Sequence, residues 1–326
     1  MFDKDINLYI PTQYNPFEEA FDNGPLDFDV REGLVTLNQL DHSENEVLCH
    51  KEHKAIIRDN HYHTKVQDWW IVGKGYFVKS HRDFYSPIWD KILENFDPND
   101  VAGVEIKYKS ARNGRWGMMD LVFPNIGVPI TTTNGHETTI KLRIVCWSGL
   151  DGTTANNYML GAIDSFCTNG QVFTQAADKD GAITKLYKRN SKLFDMDNFA
   201  ITLTNAADTF YEKAKEYQYM ANKPCGWIKG SAFIDNIKSL SESKREGLKF
   251  LLAREFTNRG HNIFALHSAL TNYSSHNNQM DYENKSLFRS RKSKHGDMEH
   301  KVMFNREEEV LNILESKQWK ELLVAA

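Results

Sequence analysis

The pair Asn113-Gly114, set between two alternating runs, constrains this chain more than any other feature. On its N-terminal side Val104, Ile106 and Tyr108 alternate with Glu105, Lys107 and Lys109, the period-two pattern of a half-buried strand. Asn and Gly tolerate the positive φ of a tight hairpin turn, so "RWGMMDLVF" is expected to return antiparallel to the first run. Past a loop of Pro, Gly and Thr, Ile140, Leu142, Ile144 and Cys146 alternate with Lys141, Arg143, Val145 and Trp147. That spacing predicts a third strand with one apolar and one basic face. Thr153 or Thr154 can then cap a helix in which Tyr158, Met159, Ala162, Ile163 and Phe166 form a stripe, closed by Gly170. The expected fold class is α+β: an antiparallel β-meander backed by a helix, β-β-β-α in order, with a helical C-terminal region.

The flanks divide the chain into three expected parts. Residues 1–45 are acidic and carry Pro11, Pro16 and Pro25, which suits an extended arm better than a core element. Residues 46–225 form the α+β core. In them "TKVQDWWIVGKGYFVK" is β-rich, and a helix begins near Ser80 with Pro87 inside it or between two shorter helices. Residues 226–326 read as helical, with segments at Ser241 to Arg259, Ile263 to Asn272 and Arg306 to Leu323; a further helix ends before Pro224.

Charge and cysteine usage narrow the function. Forty basic and 44 acidic side chains leave a formal charge of -4, so any anion-binding surface is a local patch. Four cysteines without C-x-x-C pairs and an acidic N-terminus predict a reduced, cytoplasmic setting. No run approaches the ~20 apolar residues that cross a bilayer.

Three groups of residues invite a chemical reading. "CHKEHKAIIRDNHYH" holds Cys49, His50, His53, His61 and His63; the spacing matches no common zinc module, so an exposed polar edge is expected and no metal or other cofactor. The turn "SGLDGTTA" has amides that could cradle one phosphate, yet lacks a P-loop lysine, and a tight structural turn is the simpler reading. Ser148, Ser165, Cys167 and His267 sit in no hydrolase motif, so a non-catalytic protein is expected. The basic strand face says more. Lys107, Lys109, Arg112, Arg115, Lys141 and Arg143, with Trp147 as a stacking surface, are either a solvated sheet face or what single-stranded nucleic acid requires. Lys188 and Arg189 in "KLYKRNSKLF" are counted with that patch, and the segment Lys285 to Lys301 is the most basic in the chain.

Three pieces carry a resemblance: "WWIVGKGYFVKSHRDFYSPIWDKIL", "SGLDGTTA" followed by "AIDSFCTNGQV", and "NIFALHSALTNYSSHNN". In that order they resemble a phage- and plasmid-encoded family known as a conserved domain of unknown function, which implies a mobile-element origin and a host cytoplasm. The β-β-β-α order is similar to the core of phage single-strand annealing proteins of the RecT, Redβ and Erf kind. That similarity implies sequence-independent single-stranded DNA binding, strand annealing in replication or recombination, and a homo-oligomeric ring or filament. A protein-interaction or host-takeover factor using the same surface is the alternative.

Overall fold

The computed structural model describes residues 16–22, 24–38, 47–59, 69–112, 114–152, 156–165, 170–175, 196–276, 287–288 and 299–324. The fold is α+β. A three-stranded sheet has the order β1-β2-β3, from Asp29–Asn38, Val47–Asp59 and Trp69–Gly73, antiparallel throughout. A five-stranded sheet follows chain order: β4 (Glu105–Ala111), β5 (Trp116–Thr131), β6 (Glu137–Gly149), β7 (Asn157–Asp164) and β8 (Gly170–Gln175). The chain divides into two compact units, one of Met1–Leu121, Ile144–Met159 and Gln175–Thr204, the other of Val122–Arg143, Leu160–Thr174 and Asn205–Ala326.

The expected hairpin is present as β4 and β5, and the third strand as β6 with Ile140, Leu142 and Ile144 fully buried. The helix expected from Thr153 is not: residues 157–164 are β7, and a further strand follows at Gly170. Every residue of β7 but Ile163 is buried, so both its faces are covered. A short apolar run covered on both sides shows a helical stripe and a strand equally well. The acidic arm needs a second correction. Pro16–Asp22 is a helix, α1, whose Phe17 and Phe21 lie one turn apart and are buried, and Asp29–Asn38 is β1. The negative charge of α1 binds inward: Glu18 and Asp22 both pair with Arg82, whose guanidinium also lies 4.4 Å from the Phe21 ring.

In the first unit α2 (His81–Asn95) is a single helix despite Pro87, and the shorter α3 (Pro98–Val101) and α4 (Met196–Thr204) belong to the same unit. Ser80 accepts from the Asp83 amide while Asp83 accepts from the Ser80 amide, a closed capping box that holds the first turn. Its inner face carries Tyr85, Ile88, Trp89 and Ile92, and Phe17, Phe21, Tyr85 and Tyr108 pack ring against ring. In the second unit α7 (Glu242–Arg259) ends at Gly260, whose φ of 79° suits glycine, and α8 (Ile263–Ser275) is buried from Ile263 through Ser274. Around them stand α5 (Ala206–Asn222), α6 (Trp227–Asp235), α9 (Glu299–Leu314) and α10 (Lys317–Val324). The last two occupy the segment expected as one helix.

Candidate nucleic-acid interface

The three-stranded sheet has one face in the core and one face open. Along β3 exposure alternates, with Trp70 and Val72 buried and Trp69, Ile71 and Gly73 exposed. Register extends the row across the sheet: Trp69 lies opposite Ile57 and Ile71 opposite Ala55, while on β1 Arg31 faces Ile57 and Gly33 faces Ala55. A Cβ on Gly33 would stand 2.8 Å from Ile57 Cδ1, so glycine lets the isoleucine lie over the neighbouring strand. The result is a low apolar row of exposed Ile71 and half-buried Ile57, with Ala55 covered between them, beside an indole that is 57% exposed. Past β3 the chain presents Lys74 and a 43% exposed Phe77, so cation and aromatic side chains interleave.

The β4–β5 hairpin borders this face. Arg115 donates from Nη2 to the Trp69 carbonyl at 3.3 Å and stacks its guanidinium 5.2 Å from the Trp70 ring. Arg112, at a φ of 55°, pairs with Asp151 at 3.1 Å. Lys107 and Lys109 are exposed on β4, with Glu105 3.3 Å from the Lys107 amine. Trp147 does not stack outward as expected. It is buried, as is Val145, because the second face of β6 is covered toward its C-terminal end. Lys141 and Arg143 are half-buried and belong to the second unit, so β6 is no single basic row. Lys188, Arg189, His61, His63 and most of the 285–301 segment lie outside the described residues. Sequence reasoning places the aromatic function on Trp147 and misses Trp69; the alternation in "WWIVG" is the signal available.

The "SGLDG" turn is a clasp. Trp70 Nε1 donates to the Leu150 carbonyl at 2.7 Å, Tyr76 donates to the Gly149 carbonyl at 2.7 Å, and the Gly149 amide donates to Asn156 Oδ1 at 3.0 Å. Leu150 itself enters the cluster of Phe28, Ile56, Trp70 and Val72 behind the open face. Burial pushes the Tyr76 hydroxyl up to about 12, so it stays a donor. With the Gly149 amide spent on Asn156 and the Leu150 amide on the Arg115 carbonyl at 2.7 Å, two of the donors that a phosphate cradle would offer are occupied.

One buried constellation has hydrolase residue types. His81 Nε2 is 2.6 Å from the Gly114 carbonyl, which can only accept, so the neutral ring carries its proton there and Nδ1 accepts from Ser148 Oγ at 2.6 Å. Ser148 Oγ also lies 3.1 Å from the Tyr85 hydroxyl. Burial holds His81 down to about 4 and Tyr85 well above its usual value. Ser148 is 2% exposed and His81 wholly covered, so no substrate reaches the hydroxyl; the network joins α2, β6 and the hairpin. Among the described residues no three of His, Cys, Asp and Glu are grouped to hold a metal, and no helix is long and apolar enough to cross a membrane.

Comparison with family models, curated proteins and solved structures returns no match for this chain.

Proposed function

We propose that the protein binds single-stranded DNA without sequence preference, on the open face of the β1-β2-β3 sheet, and anneals complementary strands. The observation that carries this is Trp69, an exposed indole standing beside Ile71 on a flat sheet face that includes Arg31. Single strands need a π-surface for bases and cations for phosphates, and base stacking is sequence-tolerant because every base has a face. Arg31 lies on the same face, across Ile57 from the indole, Arg115 holds the Trp69 carbonyl from the Trp70 side, and Lys74, Lys107 and Lys109 are exposed cations of the same unit. A formal charge of -4 does not oppose this, since the field at the face is set by the residues around it.

Fluorescence anisotropy with a labelled single strand tests the reading. Trp69→Ala is expected to weaken binding by ~1–3 kcal/mol at any salt, whereas Arg31→Glu with Lys74→Glu lowers the salt slope by ~0.7 for each phosphate no longer neutralised. Unchanged affinity in both folded variants would remove the open face from the account. A protein-docking face is the second reading, favoured by Ile71, which is 46% exposed on that same face. Binding of a protein partner without the single-strand salt dependence would select it.

A further inference from the structure

β2 carries an irregularity that the binding face does not need. Leu34 pairs with Lys54 and Thr36 pairs with Cys49, so Val35 alone stands opposite the four residues His50 to His53. The excursion is held from the other side, where His53 pairs with Gly73 and the Lys74 amide donates to the Glu52 carbonyl at 2.8 Å. Bulges re-aim side chains, and this one turns two imidazoles toward each other: the ring centroids of His50 and His53 are 4.5 Å apart and their Nδ1 atoms 3.2 Å apart. In a regular strand residues three apart point to opposite faces, so only the excursion makes the pair.

We infer that His50 and His53 chelate a borderline divalent transition-metal ion, of the zinc and copper class, through their two Nδ1 atoms. With metal–nitrogen bonds of ~2.0–2.1 Å, two nitrogens on one ion stand ~2.9 Å apart at a right angle and ~3.4 Å at the tetrahedral angle. The observed 3.2 Å lies inside that range. The protons balance without a co-reactant. His50 Nδ1 accepts from the Glu52 amide at 3.2 Å and so carries no proton; His53 Nδ1 therefore donates to it. On binding, the His53 proton moves to Nε2, the Glu52 amide turns to water, and both Nδ1 lone pairs face the ion. Both rings are exposed, and among the described residues no third His, Cys, Asp or Glu joins them, so water fills the other positions. Imidazole pairs with open positions favour copper and zinc over magnesium or calcium, which prefer all-oxygen shells. Chelation here does not depend on DNA binding, although His53 falls in the same sheet row as Ala55 and Ile57.

Equilibrium dialysis against zinc chloride tests it, using the parent, His50→Gln, His53→Gln and a His61→Ala/His63→Ala control. The parent and the control are expected to bind one equivalent that both glutamine variants lose. Substoichiometric copper(II) should broaden amide resonances first around residues 50–53. Full zinc binding by the glutamine variants, loss of the equivalent in the control alone, or broadening centred elsewhere overturns the assignment. Because the broadening is read on the parent, a variant that misfolds does not shield the inference.

Discussion

Acid should weaken the first unit through one histidine, and the size of the effect follows from its surroundings. His81 has no exposed surface, spends Nε2–H on the Gly114 carbonyl, accepts from Ser148, and lies edge-on to Phe28 at 5.5 Å and stacked on Tyr85 at 6.1 Å. Burial, with some repulsion from Arg58, lowers its pKa from 6.5 to about 4, while the unfolded chain keeps the ordinary value. Below pH 6.5 the unfolded state therefore takes up a proton that the folded state refuses, and stability falls as pH drops toward 4. The gap is worth ~3 kcal/mol in full, of which ~2.5 kcal/mol is lost between pH 7.5 and pH 4.5. Urea unfolding at those two pH values, on the parent and on His81→Gln, isolates this part from the carboxylates, which titrate in both proteins. The variant is expected to start less stable and to lose ~2.5 kcal/mol less across the interval. Parallel losses in parent and variant would refute the argument.

His267 plays the same part in the second unit: it is buried against Tyr217, Phe264 and Trp319 and pushed down to about 3, so His267→Phe should likewise reduce acid sensitivity in urea titrations below pH 6. Arg259 is wholly buried, 2.7 Å from both Asp164 and Glu255, so Arg259→Met strands two carboxylates and should cost ~3–5 kcal/mol by urea midpoint, most of it recovered when Asp164→Leu and Glu255→Leu are added. Gly114 has a φ of 85° and a Cβ there would fall 2.6 Å from Phe28 Cζ, so Gly114→Ala should lower the thermal midpoint by several degrees for each ~1 kcal/mol of strain. The proposed homo-oligomer should scatter as more than one chain at tens of micromolar, and strictly monomeric scattering with and without single strands would count against a ring or filament.

Local rules recover much of this fold because local bonds decide it. The hairpin rests on turn chemistry, α2 on the Ser80 box, and α7 on Ser241 and Gly260, each readable within a few residues. β7 reads as a helix because burial on both faces erases the alternation that marks a strand. α1 escapes notice because Arg82, about sixty positions away in the chain, neutralises its acids, and acidity alone resembles a solvated arm. The outward aromatic is misplaced for a related reason: the rule that alternate residues face solvent fails where something covers the second face, as at Trp147, and succeeds on β3, where Trp69 stays open. The convergence of His50 and His53 depends on a register excursion set by β1 and β3, which linear spacing does not encode.

Whether a base stacks on Trp69 is the central claim, and quenching of intrinsic fluorescence by an unlabelled oligo-dT strand tests it directly. Of the seven tryptophans, Trp70, Trp89, Trp116, Trp147 and Trp319 are buried, and the 43% exposed Trp227 stands on α6 in the second unit, so quenching by a base on the open face should come chiefly from Trp69. Trp69→Phe keeps a stacking ring but removes the reporter. The account predicts saturable quenching in the parent, and its loss in Trp69→Phe while anisotropy still shows binding within roughly tenfold of the parent. Equal quenching in the two proteins, or no binding of single strands by the parent at micromolar concentration and low salt, would contradict it.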